Sequence, residues 1–419
     1  MKSLAFTLLA CLGTIFSHGQ LNVQFNPIPA SYNLNSANAV YALDVNYDSV
    51  DLGKQAFHLF LPDTVGDFPL VIYIHGGGFV GGSRDVVLTS ASRLQDIKYF
   101  LDRGIAYASV GYRLLPSTGV DPDGVIKCLN DSKRAVQFIR QYANDIHING
   151  NKIGLVGSSA GAGTTLWLAT RSDMANPNAT DAVERNSTRV CVAATMNCQA
   201  TYDLYRWETD VYADFDGQGT NYTLDSMELL LGFDRYSSFY GGLDSTYHIL
   251  HDPALVQYRQ DVDMLYHMSS DDPPLYIENT SNATHPSQDL FHHAFHAREM
   301  NNTALAANLP EVKANINYLN INTTGNESRN AFLERHLNSC SLTTELSTTP
   351  TVNPINVYPN PAQNRLYIET TEPESTVLIY NSVGQLVLQT KGTEVAIENL
   401  SKGIYFLKIG TELVQFVKI

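Results

Sequence analysis

The pentapeptide Gly157-Ser158-Ser159-Ala160-Gly161 constrains this chain more than any other stretch. Lys152 to Val156 ahead of it reads as a short buried strand, and Ala162 to Arg171 behind it reads as a helix. A Gly-x-Ser-x-Gly at such a junction needs small residues on both sides of the serine, because the turn is sharp and the backbones nearly touch. The serine is held in a strained conformation with its hydroxyl exposed at the helix N-terminus. An oxyanion developing there meets backbone N–H groups and the positive end of the helix dipole. The pattern alone also suits a tight turn whose glycines serve only packing. The flanking strand and helix favour a nucleophile elbow.

The surrounding pattern is that of an α/β protein. Pro69 to Ile74 is a continuous apolar run, as expected for a central strand covered on both faces. A helical pattern follows from Ser90 to Arg103, then a buried strand from Ile105 to Val110. Ile126, Leu129, Val136, Ile139, Ala143 and Ile146 then form a helical stripe that leads to the strand before Ser159. This alternation predicts right-handed crossovers and a mostly parallel central sheet with helices on both faces. Val40 to Tyr47 and Gln55 to Leu61 alternate apolar and polar residues and read as half-buried antiparallel strands. Val190 to Met196 and Asp272 to Glu278 continue the sheet, and Asn315 to Ile321 reads as its last core strand. Helices are expected from about His292 to Ala307 and from Arg329 to Leu337. The segment 201–268 is rich in Tyr, Asp and Gly, with helical pieces at Asp225 to Leu231 and Pro253 to Met268. It is too long to be structureless and reads as a helical cap over the site.

Residues 1–19 have a lysine at position 2, a short apolar run and the small-residue site Ser17-His18-Gly19, the signature of a signal peptide. No stretch is long and apolar enough for a transmembrane segment. The formal net charge of −15 argues against nucleic acid or an anionic membrane as partner, since phosphate binding needs a basic face. Without the leader, Cys128, Cys191, Cys198 and Cys340 remain, and in an exported protein they permit disulfides whose pairing spacing does not reveal. No Cys-x-x-Cys or His/Cys cluster points to a metal. Residues 20–340 then form the main domain and 341–356, rich in Ser, Thr, Pro and Asn, a linker. Residues 357–419 carry short strands at close, regular spacing and read as a small all-β sandwich.

His75-Gly76-Gly77-Gly78 directly follows the buried strand ending at Ile74. Glycines in such a loop let several N–H groups point at one spot. Each pre-positioned donor to a tetrahedral oxyanion is worth roughly 3 kcal/mol of barrier. The N–H groups of Gly77, Gly78 and Ala160 are the candidate oxyanion hole, with His75 bracing the loop. These motifs, with Gly111-Tyr112-Arg113-Leu114 and Asp272-Pro273-Pro274, resemble the α/β-hydrolase carboxylesterases with an HGGG oxyanion loop, the hormone-sensitive-lipase-like and related bacterial esterases. The resemblance covers about Val40 to Leu337 and implies Ser-His-Asp ester hydrolysis with no cofactor. The tail resembles the C-terminal sorting domain of Bacteroidetes type IX secretion. That resemblance rests on Val357-Tyr358-Pro359-Asn360-Pro361, Val377 to Asn381, Val383-Gly384-Gln385 and Leu400 to Tyr405. It implies the type IX machinery as partner and a secreted or surface-attached product.

The chain departs from the esterase pattern at the base. The family's histidine follows the last core strand, but here that place reads Asn322-Thr323-Thr324-Gly325-Asn326-Glu327. His285, His292, His293 and His296 cluster after the preceding strand, and His292 and His293 are the candidate bases. Asp289 is the candidate acid, with Asp203 its runner-up. The expected product is a serine ester hydrolase acting through an acyl-enzyme on Ser159, with a polysaccharide ester or polyester among its possible substrates. Tyr202, Tyr205, Trp207, Tyr212 and Tyr222 are expected to line its pocket. The alternative is a non-catalytic binding protein of the same fold that has lost its base. The sequons at Asn186, Asn221, Asn279 and Asn322 read as polar surface.

Overall fold

The computed structural model describes residues 20–35, 38–213, 215, 222–242, 252–340, 342, 356–369, 376–381, 386–409 and 412–418. The expected signal peptide, nearly all of the expected linker and parts of the cap lie outside the described residues. Two compact units divide at residue 343.

The first unit is built on a ten-stranded sheet. In chain order its strands are β1 (Asn26–Pro27), β2 (Val40–Asn46), β3 (Ala56–Leu61), β4 (Phe68–Ile74), β5 (Ala106–Val110), β6 (Ile148–Ser158), β7 (Val192–Met196), β8 (Leu275–Asn279), β9 (Val312–Ile316) and β10 (Ile321–Asn322). In space they run β1-β2-β3-β5-β4-β6-β7-β8-β9-β10. In that order the pairs from β5-β4 to β8-β9 are parallel, while β1-β2, β2-β3 and β3-β5 on one side and β9-β10 on the other are antiparallel. Alternate side chains of the central strands feed two cores. Leu70, Ile72 and Ile74 of β4 join Phe57, Leu59 and Leu61 of β3 on one face. Val71 and Tyr73 join Phe60 and Tyr107 on the other. Helices Ile126–Gln141, Ala160–Thr170 and Ala294–Ala306 cover the first core, and Ala91–Leu101 and Arg329–Ser339 cover the second. A strand covered on both faces must be apolar at every position, which is why these runs stand out in the sequence.

Three expectations change. Strand β3 is buried at all of its positions, not half-buried, because it lies between β2 and β5 with both cores against it. Its polar member, His58, is buried with hydrogen bonds to Asp85 and to the Asp44 N–H. The last core strand is Val312–Ile316, ahead of the expected Asn315 to Ile321. Residues 317–320 turn the chain, with Asn320 at φ 53°, and Ile321–Asn322 folds back against β9. Asparagine tolerates the left-handed conformation that the turn requires. The helical pattern of Pro253 to Met268 is two helices, Pro253–Asp261 and Met264–His267, separated where the Asp263 side chain caps the second.

Cys191, just before β7, is bonded to Cys340, just after the final helix, across 149 residues of sequence. Cys128 and Cys198 are buried free thiols. The bridge fastens the end of the helix Arg329–Ser339 to the sheet.

The second unit contains a three-stranded sheet, β11 (Asn356–Tyr358), β12 (Arg365–Glu369) and β15 (Glu394–Ala396), and a four-stranded sheet. The latter holds β13 (Thr376–Asn381), β14 (Leu386–Lys391), β16 (Gly403–Ile409) and β17 (Glu412–Lys418). Leu366, Ile368 and Val395 from the first sheet share one core with Val377, Ile379, Leu407 and Phe416 from the second. This is a small antiparallel sandwich.

A closed loop of this length gives an expected stabilisation of about 5 kcal/mol in the chain-entropy account. Cys340→Ser is therefore expected to lower the urea midpoint of the first unit markedly. An unchanged midpoint under oxidising conditions would contradict this.

Candidate active site

The sheet order reverses at β4, with β5 on one side and β6 on the other. Open α/β sheets bind ligands at the carboxyl ends of strands beside such a switch. Here Ile74 of β4 lies opposite Gly157 of β6, so the glycine loop after one and the elbow after the other emerge side by side.

Three close approaches shape the elbow. A Cβ on Gly157 would fall 2.1 Å from the Gly161 carbonyl oxygen, and one on Gly161 would fall 2.0 Å from the Ile74 carbonyl oxygen. A Cβ on Gly76 would lie 2.6 Å from the Ser158 carbonyl oxygen and 3.0 Å from the Ser159 Cβ. Ser159, between them, has φ 54° and ψ −123° and immediately precedes the helix Ala160–Thr170. Its N–H donates to the Met196 carbonyl at the end of β7, 2.9 Å away. Such a conformation costs a non-glycine residue about 1–3 kcal/mol and persists only where the surroundings enforce it.

The Ser159 Oγ lies 2.8 Å from His292 Nε2. His292 Nδ1 lies 2.9 Å from Asp289 Oδ1, and the His292 backbone N–H donates to the same oxygen at 3.2 Å. Asp289 Oδ2 accepts from the Ser281 hydroxyl at 2.9 Å. With Nδ1–H given to the carboxylate, the neutral imidazole keeps Nε2 as an acceptor for the Ser159 O–H. Both His292 and Asp289 come from the loop after β8.

The other candidates are placed elsewhere. His293 is fully buried and caps the helix Ala294–Ala306, its Nδ1 accepting from the Phe295 N–H at 3.3 Å. Its Nε2 has no hydrogen-bond partner, and burial pushes its pKa down to about 4. His296 lies one turn further on, fully buried beside Trp207, with Nδ1 accepting from the Ala200 N–H and Nε2 facing the Leu290 carbonyl. Burial pushes its pKa down to about 3. His285 caps the short turn Pro286–Gln288 and meets the Tyr222 hydroxyl at 2.9 Å. Asp203, the runner-up acid, is paired with Arg259 at 2.8 and 2.9 Å. His75 is buried, stacks on Tyr112 with ring centres 4.3 Å apart, and donates Nδ1–H to the Gly76 carbonyl at 2.7 Å. Burial lowers its pKa to about 4, so it braces the glycine loop as a neutral side chain.

A cavity of about 410 Å³ opens onto Ser159 and His292, bounded by Gly77, Gly78 and Ala160 on one side. Its remaining wall is Phe79, Gln199, Tyr202, Phe239 and Phe291, with no Asp, Glu, Lys or Arg. Of the aromatics expected to line it, Tyr202 does. Trp207, Tyr212 and Tyr222 are buried where the cap meets the segment after β8, against His296, His293 and His285 in turn, and Tyr205 carries the Arg259 guanidinium over its ring. Aromatic content signalled the seam between the cap and the segment after β8 more than a pocket. Sequence reading missed Phe79, although it directly follows the glycine loop. It also missed Phe239 and Phe291, which carry no local motif. The sequons were misread in part: Asn279 is fully buried, with its amide donating to the His292 carbonyl at 2.9 Å. The Asn186 amide bonds Gln141 and two helix-end carbonyls. Asn221 lies outside the described residues.

The sheet order, crossovers and cap define an α/β-hydrolase. Residues 57–280, more than half of the chain, match the BD-FAE family, and the chain belongs to this family of α/β-hydrolase esterases. Residues 356–418 match the secretion system C-terminal sorting domain, which marks the chain for export by the type IX machinery to the cell surface or beyond. Two curated relatives are fungal. The 5-methylorsellinic acid synthase of Aspergillus terreus is 32% identical over 127 residues, 29% of this chain and 5% of that protein. The non-reducing polyketide synthase nvfA of Aspergillus novofumigatus is 29% identical over 147 residues, 33% of this chain and 6% of that protein. The chain thus spans about a twentieth of the length of these relatives. Similar solved structures include a truncated carbohydrate esterase from gut microbiota, at 14% identity over 73% of this chain and 98% of that one, TM-score 0.49. Another is an acetyl ester-xyloside bifunctional hydrolase from Caldicellulosiruptor lactoaceticus, at 18% identity over 62% and 77%, TM-score 0.42. Among the described residues no helix is long and apolar enough to cross a membrane.

Buried neutral histidines make the fold acid-sensitive. His75, His293 and His296 have folded pKa values lowered by burial from the ordinary 6.5 to about 4, about 4 and about 3. The unfolded chain therefore binds protons first as pH falls. Their contribution is complete above about pH 6.5 and is lost as pH falls toward 4, at about 1.4 kcal/mol per pH unit for each histidine. The urea midpoint should fall steadily over this window, and less steeply in His296→Gln. A midpoint independent of pH there would contradict the assignment.

Proposed function

We propose that this chain is an exported serine carboxylic-ester hydrolase in which Ser159 is the nucleophile, His292 the general base and Asp289 the orienting acid. The observation that carries the reading is the 2.8 Å contact of Ser159 Oγ with His292 Nε2, on an elbow whose serine has φ 54°. A serine hydroxyl needs such a base to be nucleophilic near neutral pH. The binding-protein alternative depended on that base being missing.

Ser159 Oγ attacks the ester carbonyl carbon while its proton passes to His292 Nε2. The carbonyl oxygen becomes an oxyanion facing the N–H groups of Gly77, Gly78 and Ala160, whose residues border the cavity beside Ser159. The tetrahedral intermediate collapses, the C–O bond to the alcohol breaks, and the alkoxide takes the proton back from Nε2. Water then gives its proton to Nε2 and attacks the acyl-enzyme, and Ser159 leaves with that proton. Asp289 holds the imidazole by Nδ1 and stabilises the imidazolium formed in each half-reaction.

The wall of phenyl rings and the lack of charged side chains in it suit an uncharged, largely apolar acyl group. Export places the enzyme among extracellular polymers, and an ester carried on a polysaccharide or a polyester is the substrate class proposed.

Turnover of p-nitrophenyl butyrate and labelling by a fluorophosphonate test the assignment. Ser159→Ala and His292→Ala should each lower kcat by roughly 10⁴–10⁶-fold, and Asp289→Asn by about 10³–10⁴-fold. His293→Ala should lose about 1 kcal/mol of stability through its helix cap while keeping kcat within about threefold. Absence of labelling of the wild type, or full activity in Ser159→Ala, would sink the reading.

A further inference from the structure

Asp289 and His292 are only three residues apart, and their side chains are 29% and 32% exposed. Bonds between them fix one to the other but not the pair to Ser159. The tripeptide Asn279-Thr280-Ser281, at the end of β8, supplies fastenings to the sheet. Asn279 Nδ2 donates to the His292 carbonyl at 2.9 Å, from a side chain with no exposure. Ser281 Oγ donates to Asp289 Oδ2 at 2.9 Å, the carboxylate oxygen that does not face the imidazole. Thr280 lies between them and is tied to Asn197, its N–H donating to Asn197 Oδ1 at 2.8 Å and its hydroxyl accepting from Asn197 Nδ2 at 3.1 Å. Asn197 directly follows Met196, whose carbonyl receives the Ser159 N–H.

We propose that Ser281 and Asn279 are positioning residues that index the Asp289–His292 pair to the end of β8 and so to Ser159. The inference rests on the serine-hydrolase reading above. A carboxylate held through one oxygen is free to turn about its last side-chain torsion, which has broad minima. Bonding the second oxygen sets the carboxylate plane and with it the direction of the Nδ1–H bond. Holding the His292 carbonyl sets the height of the ring above the elbow. A base and nucleophile displaced by an ångström lose rate without losing substrate affinity.

The experiment compares Ser281→Ala, Ser281→Thr and wild type in the full chain, using p-nitrophenyl butyrate and fluorophosphonate labelling. Ser281→Ala should lower kcat about 10- to 100-fold and slow labelling in parallel, with KM within about twofold and the thermal midpoint near wild type. Ser281→Thr keeps the hydroxyl and should recover most of kcat. Asn279→Ala should also lower kcat, with a larger loss of stability because its amide is buried; if it does not fold, the Ser281 pair decides. Unchanged kcat and labelling in Ser281→Ala, or a loss that Ser281→Thr shares, overturns the positioning role and leaves the esterase reading standing. A wild type inert to both reagents overturns the two together.

Discussion

The start of the helix Ala160–Thr170 is pressed against the end of β4 so closely that Gly161 has no room for a Cβ, with Ile74 O 2.0 Å from where it would sit. Much of the site follows from that contact. Because β4 and β6 pair in parallel with Ile74 opposite Gly157, the loop after β4 must pass over the elbow. It can do so only with glycine at position 76, where a side chain would meet the Ser158 carbonyl. The same crowding leaves Ser159 no relaxed conformation, and its N–H is taken by the Met196 carbonyl of the next strand. The strain of about 1–3 kcal/mol is thus carried by sheet pairing.

The cap adds a second set of constraints from the other side. Tyr202 donates its hydroxyl to the Ala160 carbonyl at 2.7 Å, and its ring would collide with any side chain at position 163, 2.0 Å from the oxygen. The first residue of the cap to line the cavity is therefore also a brace on the helix that follows Ser159. With its hydroxyl engaged, Tyr202 offers the cavity mostly a ring face, which adds to the apolar character given by Phe79, Phe239 and Phe291.

Legibility in the sequence follows how local each constraint is. The central strands were readable because burial on both faces forces an unbroken apolar run. The elbow and the glycine loop were readable because close backbone approach leaves glycine alone. The tail was readable from short strands at regular spacing, and its sandwich is present. Strand β3 was misread because His58 looks like an outward polar residue in Phe57-His58-Leu59, whereas it is buried and hydrogen-bonded. The Cys191–Cys340 pairing depends on where β7 and the last helix end in space, which no spacing encodes. Likewise Asn279 and Ser281 look like a surface sequon until the loop carrying Asp289 is folded back onto β8.

Four histidines lie between residues 285 and 296, and helix-end physics sorts them. A residue at a helix N-cap turns its side chain back onto the first N–H groups, which spends His293 on Phe295 and His285 on Ser287. A residue one turn into a buried helix face goes to the core, which places His296 against Trp207 and, by desolvation, keeps it neutral. His292, ahead of the cap, is bound by neither rule, and its ring is left for the carboxylate three residues earlier and for the serine across the cleft. Its placement needs no histidine after the last core strand, where the chain has Asn322 to Glu327. With the proposed base and acid both drawn from one loop after β8, whatever fastens that loop decides how the pair is aimed at Ser159. The Gln199 amide holds the Phe291 carbonyl, the Tyr212 hydroxyl holds the Leu290 carbonyl, and the bonds from Asn279 and Ser281 tie the pair to the end of β8, one strand from the Met196 carbonyl that accepts from Ser159.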